Sequence, residues 1–227
     1  MTDTYLGYQN LIDSFLNLYD AIEIREDVAN LCVSGVCQNS LRGIDSHGIR
    51  LFPHYTQAFL EGRLNKNPSY VFNNTSDSII VMDADHAPGH AAGIEAVKRA
   101  ILQARKNGIS AVSVSNSSHF GAAAYYGLEI ANNDMIGFSF TNATAHVPPF
   151  KGSVPFFGNN PVCMCAPILD EEPFCLDMAT TTTTFNSVQK CKAEGIAIPQ
   201  GWCSDSNGRS TTNPADAYSL LPIGDYK

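Results

Sequence analysis

The spacing of the apolar residues changes once along this chain, near residue 75, and that change constrains the fold more than any other feature. Before it, Leu11, Ile12, Phe15, Leu16 and Tyr19 recur at helical spacing, as do Val28, Leu31, Cys32, Gly35 and Val36. A polar, glycine-punctuated stretch, SLRGIDSHGIRLFPHY, then leads into an amphipathic run ending at Gly62. After NKNPSYVFNNTSDS the pattern alternates between strand and helix. Ile79–Met82 reads as a buried strand, and HAAGIEAVKRAILQARKNG as a helix stopped by Asn107-Gly108. Residues 109–116 read as a strand, 122–134 as a helix and 135–142 as a strand. The expected architecture is α+β: a helical domain over 1–75, then a mixed sheet domain flanked by helices over 76–227.

Charge narrows the partners. With 14 basic and 22 acidic side chains the formal charge is −8, and no basic run occurs, so a nucleic-acid partner is not expected. No apolar stretch approaches the roughly 18 residues of a membrane helix. Seven cysteines without a CxxC pair, behind a start lacking a basic and apolar leader, point to a reducing, cytoplasmic compartment.

Several familiar chemistries are missing: the chain contains no GxGxxG, GxxxxGK[ST], HExxH or GxSxG. Of six histidines, two stand in suggestive places. His119, in SNSSHFGAAAYY, falls between a predicted strand and a predicted helix, where open sheets display functional groups. It reads either as a proton donor or acceptor, or as a helix cap. In RGIDSHGIR, Asp45, Ser46, His47 and Arg50 offer a carboxylate, a hydroxyl, an imidazole and a guanidinium. That turn reads as a site for an anionic carboxylate, with Arg50 as its fork, or as an N-cap at Asp45 or Ser46 for the helix carrying Tyr55. His86 and His90, beside Asp83 and Asp85, are four apart but separated by Pro88-Gly89, so no metal site is expected. Cys163 and Cys165 alternate on a predicted strand and read as small buried apolar side chains.

Eight segments in order resemble the malate/L-lactate dehydrogenase family, the type without a Rossmann fold. They are LRGIDSHG (41–48), NSSHFGAAAYY (116–126), FTN (140–142), FFGNNP (156–161), LDMAT (176–180), IPQGW (198–202), TTNP (211–214) and LLPIGDYK (220–227). The resemblance implies a helical substrate-side domain and an unusual sheet domain that binds NAD or NADP. It implies a dimer that interconverts a small 2-oxo acid with its 2-hydroxy acid by hydride transfer.

By the same resemblance His119 is the proton donor or acceptor, and Ser46 and His47 act with it on the substrate. Arg50, Tyr55 and Asn142 face the substrate. Asn142, Gly158, Asn160, Pro161, Asp177, Met178, Ala179, Thr180 and Lys227 line the cofactor. The chain departs from the family pattern at Asn159, at Ser187, at Asp225 and in the spacing of Arg50 from His47. Relatives run longer, so the alternative expectation is a shortened member that binds a nucleotide or partner without turnover.

Overall fold

The computed structural model describes residues 6–224, so Asp225 and Lys227 lie outside the described residues. The chain divides into two compact units, Met1–Met135 and Ile136–Lys227.

The first unit opens with α1 (Tyr8–Ala21) and α2 (Glu26–Leu41), followed by two 3-10 turns, Asp45–His47 and Ile49–Leu51, and α3 (Phe52–Leu60). Its core gathers Tyr19, Val28, Val33, Val36, Phe52, Tyr55 and Phe59, with Ala91 contributed from further along the chain. The predicted stripes are the faces that meet there.

Strands β1 (Val71–Asn74), β2 (Ile79–Ala87) and β3 (Ala111–Ser117) form a sheet in that order. β1 runs antiparallel to β2 and β3 parallel to it, the crossover being α4 (Gly89–Asn107), stopped by Gly108 in a left-handed conformation. α5 (Ala124–Ala131) closes the unit. The change of spacing near residue 75 therefore marks a change of secondary structure, whereas the compact units part between Met135 and Ile136. The physical reason is that α4 serves both parts: Ala91 joins the helical core, while Ala92 and Ala96 cover β2.

The second unit contains an antiparallel sheet of β4 (Gly137–Phe140), β5 (Val162–Ile168) and β6 (Glu171–Met178). Beyond it lie α6 (Phe185–Glu194) and three two-residue strands, β7 (Cys203–Ser204), β8 (Ser210–Thr211) and β9 (Ser219–Leu220). Val147, Val188, Ile198, Cys203 and Leu220 form its core. Mixed and antiparallel sheets beside helices agree with the α+β expectation.

Candidate active site

The turn holding Ser46 and His47 is fastened to the end of α2. Buried Asn39 donates its amide N–H to the His47 carbonyl at 3.0 Å, and the Ile49 N–H donates to Ser40 Oγ at 2.9 Å. Gly48 permits that approach, because a Cβ there would stand 2.1 Å from Ser40 Oγ. Ser46 does not cap a helix. α3 starts after Leu51, with no side-chain cap and Pro53 in its first turn. Ser46 Oγ instead shares a hydrogen bond with His47 Nδ1 at 2.8 Å.

His119 is placed by the loop after β3. Gly89 N–H donates to Ser118 Oγ at 3.0 Å, and the Tyr126 hydroxyl donates to the carbonyls of Gly89 and Phe120. Backbone meets backbone here, since a Cβ on Gly89 would fall 2.4 Å from Phe120 Cα and 2.5 Å from the His119 carbonyl oxygen. α5 begins after Ala123 without a side-chain cap, so His119 does not cap it. Its Nδ1 lies 2.7 Å from the Tyr55 hydroxyl, and its ring is 5.5 Å from the His47 ring, nearly parallel at 14°. Ser46, His47, Tyr55 and His119 thus form one cluster, built from the turn after α2, from α3 and from the loop after β3.

A third histidine, which the residue pattern did not single out for this role, completes the group. His90, in the first turn of α4, is fully buried, with its ring 5.1 Å from Tyr55 and 6.1 Å from Tyr125. Neither ring nitrogen has a hydrogen-bond partner among the described residues. Two glycines make room for it, for a Cβ at Gly35 or Gly121 would reach 2.2 Å or 2.5 Å from its ring. His86 is exposed on a bulge of β2, where Asp85 and His86 both have positive φ. Asp85 accepts hydrogen bonds from the Asn65 amide and the Ser69 N–H at 2.9 Å.

The electrostatics favour neutral imidazoles. Burial, and then the charges of His119 and His47, hold His90 down to about 3. Burial, and then His47 and His54, hold His119 at about 4. His119 keeps an exposed edge, where water screens part of that depression. Burial raises the Tyr55 phenol, which stays protonated at neutral pH. A neutral imidazole with one nitrogen held and an exposed edge can accept a proton. Arg50 is exposed on the second 3-10 turn, and no hydrogen bond or ion pair joins it to this cluster among the described residues.

In the second unit the expected cofactor residues gather at one end of a sheet. Register pairs Phe140 with Val162 and Val162 with Met178, so Asn142, Pro161, Met178 and Ala179 all lie at that end. The two loops are tied together. Asn160 Oδ1 accepts from the Ala143 N–H at 3.0 Å, Thr180 N–H donates to the Asn159 carbonyl at 2.9 Å, and Gly158 packs on the Ala143 carbonyl. Asn142 is exposed. Asp177 sits one residue back, across from Cys163. Ser187 occupies the first turn of α6, where Thr184 Oγ1 accepts from its N–H, a helix cap.

The family model described as malate/L-lactate dehydrogenase matches residues 6–227. The chain belongs to that family.

Members similar to this family chain include a malate dehydrogenase of Pyrococcus abyssi, 36% identical over 204 residues, 88% of this chain and 56% of that protein. The L-sulfolactate dehydrogenase of Methanocaldococcus jannaschii is 33% identical over 206 residues, 90% of this chain and 60% of that one. The ureidoglycolate dehydrogenase (NAD(+)) of Escherichia coli K12 is 33% identical over 186 residues, covering 82% and 53%. Among solved structures, malate dehydrogenase from Entamoeba histolytica superposes with a TM-score of 0.91 at 27% identity, over 98% of this chain and 64% of that one. The sulfolactate dehydrogenase from Methanocaldococcus jannaschii gives 0.91 at 31%, over 97% and 64%. The chain thus spans under two thirds of the length of these family members.

Proposed function

We propose that this protein is a nicotinamide-dependent oxidoreductase acting on a small 2-hydroxy or 2-oxo acid, with His119 as the acid–base group. The observation that carries the reading is the bond between Tyr55 and His119 Nδ1, which leaves Nε2 as the ring nitrogen free to face a substrate oxygen. In the oxidative direction the Nδ1–H tautomer donates to the Tyr55 oxygen and leaves the Nε2 lone pair to take the hydroxyl proton, giving an imidazolium. In the reductive direction the same imidazolium returns the proton to the developing alkoxide. A substrate carboxylate beside the cluster raises the His119 pKa from its depressed value, bringing it toward a range where both directions run. Ser46 and His47 hold the substrate oxygens, and Arg50 carries the carboxylate fork.

The exposed Asn142 amide and the joined loops at 158–161 and 178–180 suit a nicotinamide nucleotide, which needs amide-type and backbone hydrogen bonds and a close backbone approach. Bound there, NAD or NADP would supply or accept the hydride. The further proposals are that Asp177 and Lys227 take part in cofactor binding, that the helical residues 1–75 are the substrate side and that 76–227 form the cofactor side. We also propose a cytoplasmic homodimer: no described helix is long and apolar enough to cross a membrane, and Phe138, Phe140, Phe174 and Leu176 form an exposed apolar face on the second sheet.

Titration of the chain with NADH and NADPH, followed by nicotinamide fluorescence, tests the reading. Saturable binding of one coenzyme and turnover of a 2-oxo acid are expected. Binding without turnover of any acid favours a shortened member that retains only the nucleotide site.

A further inference from the structure

Three thiols converge in the second unit. β5 sets Cys163 and Cys165 on one face, and the register places Cys175 of β6 directly opposite Cys165. The Sγ atoms of Cys163 and Cys165 are 3.6 Å apart, and all three Sγ atoms lie within 4.8 Å of one another. Cys163 and Cys165 are buried and Cys175 half-buried. On its other side Cys165 faces Gly137 of β4, which has no side chain, while Cys163 stands between Ser139 and Asp177. Packing as small apolar side chains accounts for Cys163 and Cys165 taken singly. The half-buried third thiol closes a triangle that an ion can approach.

We propose that Cys163, Cys165 and Cys175 form a binding site for one thiophilic metal ion, with Zn²⁺ as its reference ligand. Zinc–sulfur bonds of about 2.3 Å put the sulfurs of a tetrahedral site roughly 3.8 Å apart. The Cys163–Cys165 separation of 3.6 Å is close to that spacing, and all three sulfurs lie within 4.8 Å of one another, so only small shifts are needed to bring them onto one ion. An all-sulfur set selects soft or borderline metals over calcium or magnesium. A water supplies the fourth ligand. Burial keeps the Cys163 and Cys165 thiols protonated, Cys163 at about 11. Ligation breaks three S–H bonds, forms three metal–sulfur bonds and releases three protons to solvent, with no change of oxidation state. This site is independent of the histidine cluster and of the proposed dehydrogenase activity.

Cobalt substitution tests it. The fully reduced chain titrated with Co²⁺ should bind one equivalent with a sulfur-to-cobalt charge-transfer band, and Zn²⁺ should displace it. Cys163→Ser and Cys175→Ser should abolish the band, while Cys191→Ser, a half-buried cysteine outside the cluster, should keep it. A second measurement needs no variant. Zn²⁺ should slow alkylation of Cys175 in the wild-type chain at least tenfold and leave Cys191 unchanged. A natively folded, reduced chain without the band overturns the proposal. So does a band that survives Cys175→Ser. If the serine variants do not fold, equal alkylation of Cys175 with and without Zn²⁺ overturns it by itself.

Discussion

The Tyr55 hydroxyl and His119 Nδ1 lie 2.7 Å apart although 64 positions separate them in the chain. α3 carries the phenol and the loop after β3 carries the imidazole. The pair exists because Gly89 lets that loop sit against the start of α4. Tyr55→Phe removes the bond and keeps the ring. We expect turnover to fall about tenfold, with the pH dependence of kcat displaced and coenzyme affinity unchanged. Unaltered kcat and pH profile would show that the bond is idle.

The two depressed imidazoles make stability depend on pH. Both have folded-state pKa values below the ordinary 6.5, about 3 for His90 and about 4 for His119. The unfolded chain therefore binds their protons first, and stability falls as pH drops below about 6.5. His90, fully buried, accounts for a loss on the order of 3 kcal/mol by pH 4. Urea unfolding at pH 7, 5.5 and 4.5 measures the slope, and His90→Gln should flatten it. An equal slope in that variant would contradict the assignment.

Gly35→Ala should destabilise the first unit by about 1–3 kcal/mol, because its Cβ meets the His90 ring inside a filled core. Gly62→Ala has open space but positive φ, so it strains only the backbone and should cost about 1 kcal/mol. Denaturant midpoints compare the two, and an inverted order would argue against close packing around His90.

Thr184→Ala should cost about 1 kcal/mol by removing the cap of α6. Thr184→Ser should restore most of it. A thermal melt of the three chains reads the difference.

Ser46, His47 and His119 could be read from the sequence because short polar turns between periodic segments announce themselves. Both turns also allowed a capping reading, and only the helix starts at Leu51 and Ala123 removed it. Tyr55 has no local signal: it is one more apolar position on an amphipathic helix, and it entered through family resemblance. His90 is legible in the sequence only as half of a rejected metal pair with His86, because the fit of its ring against Gly35 and Gly121 depends on contacts remote in sequence. The three-thiol cluster was half visible. Alternation placed Cys163 and Cys165 on one face, but nothing local fixed the register that brings Cys175 to them.

The central claim is that His119 moves the substrate proton. Its most direct measurement is steady-state turnover of wild type and His119→Ala across a panel of 2-oxo acids with NADH and NADPH, alongside coenzyme titrations of both chains. The account predicts a loss of about 10²-fold or more in kcat with coenzyme affinity nearly intact. Equal turnover in the two chains would contradict it.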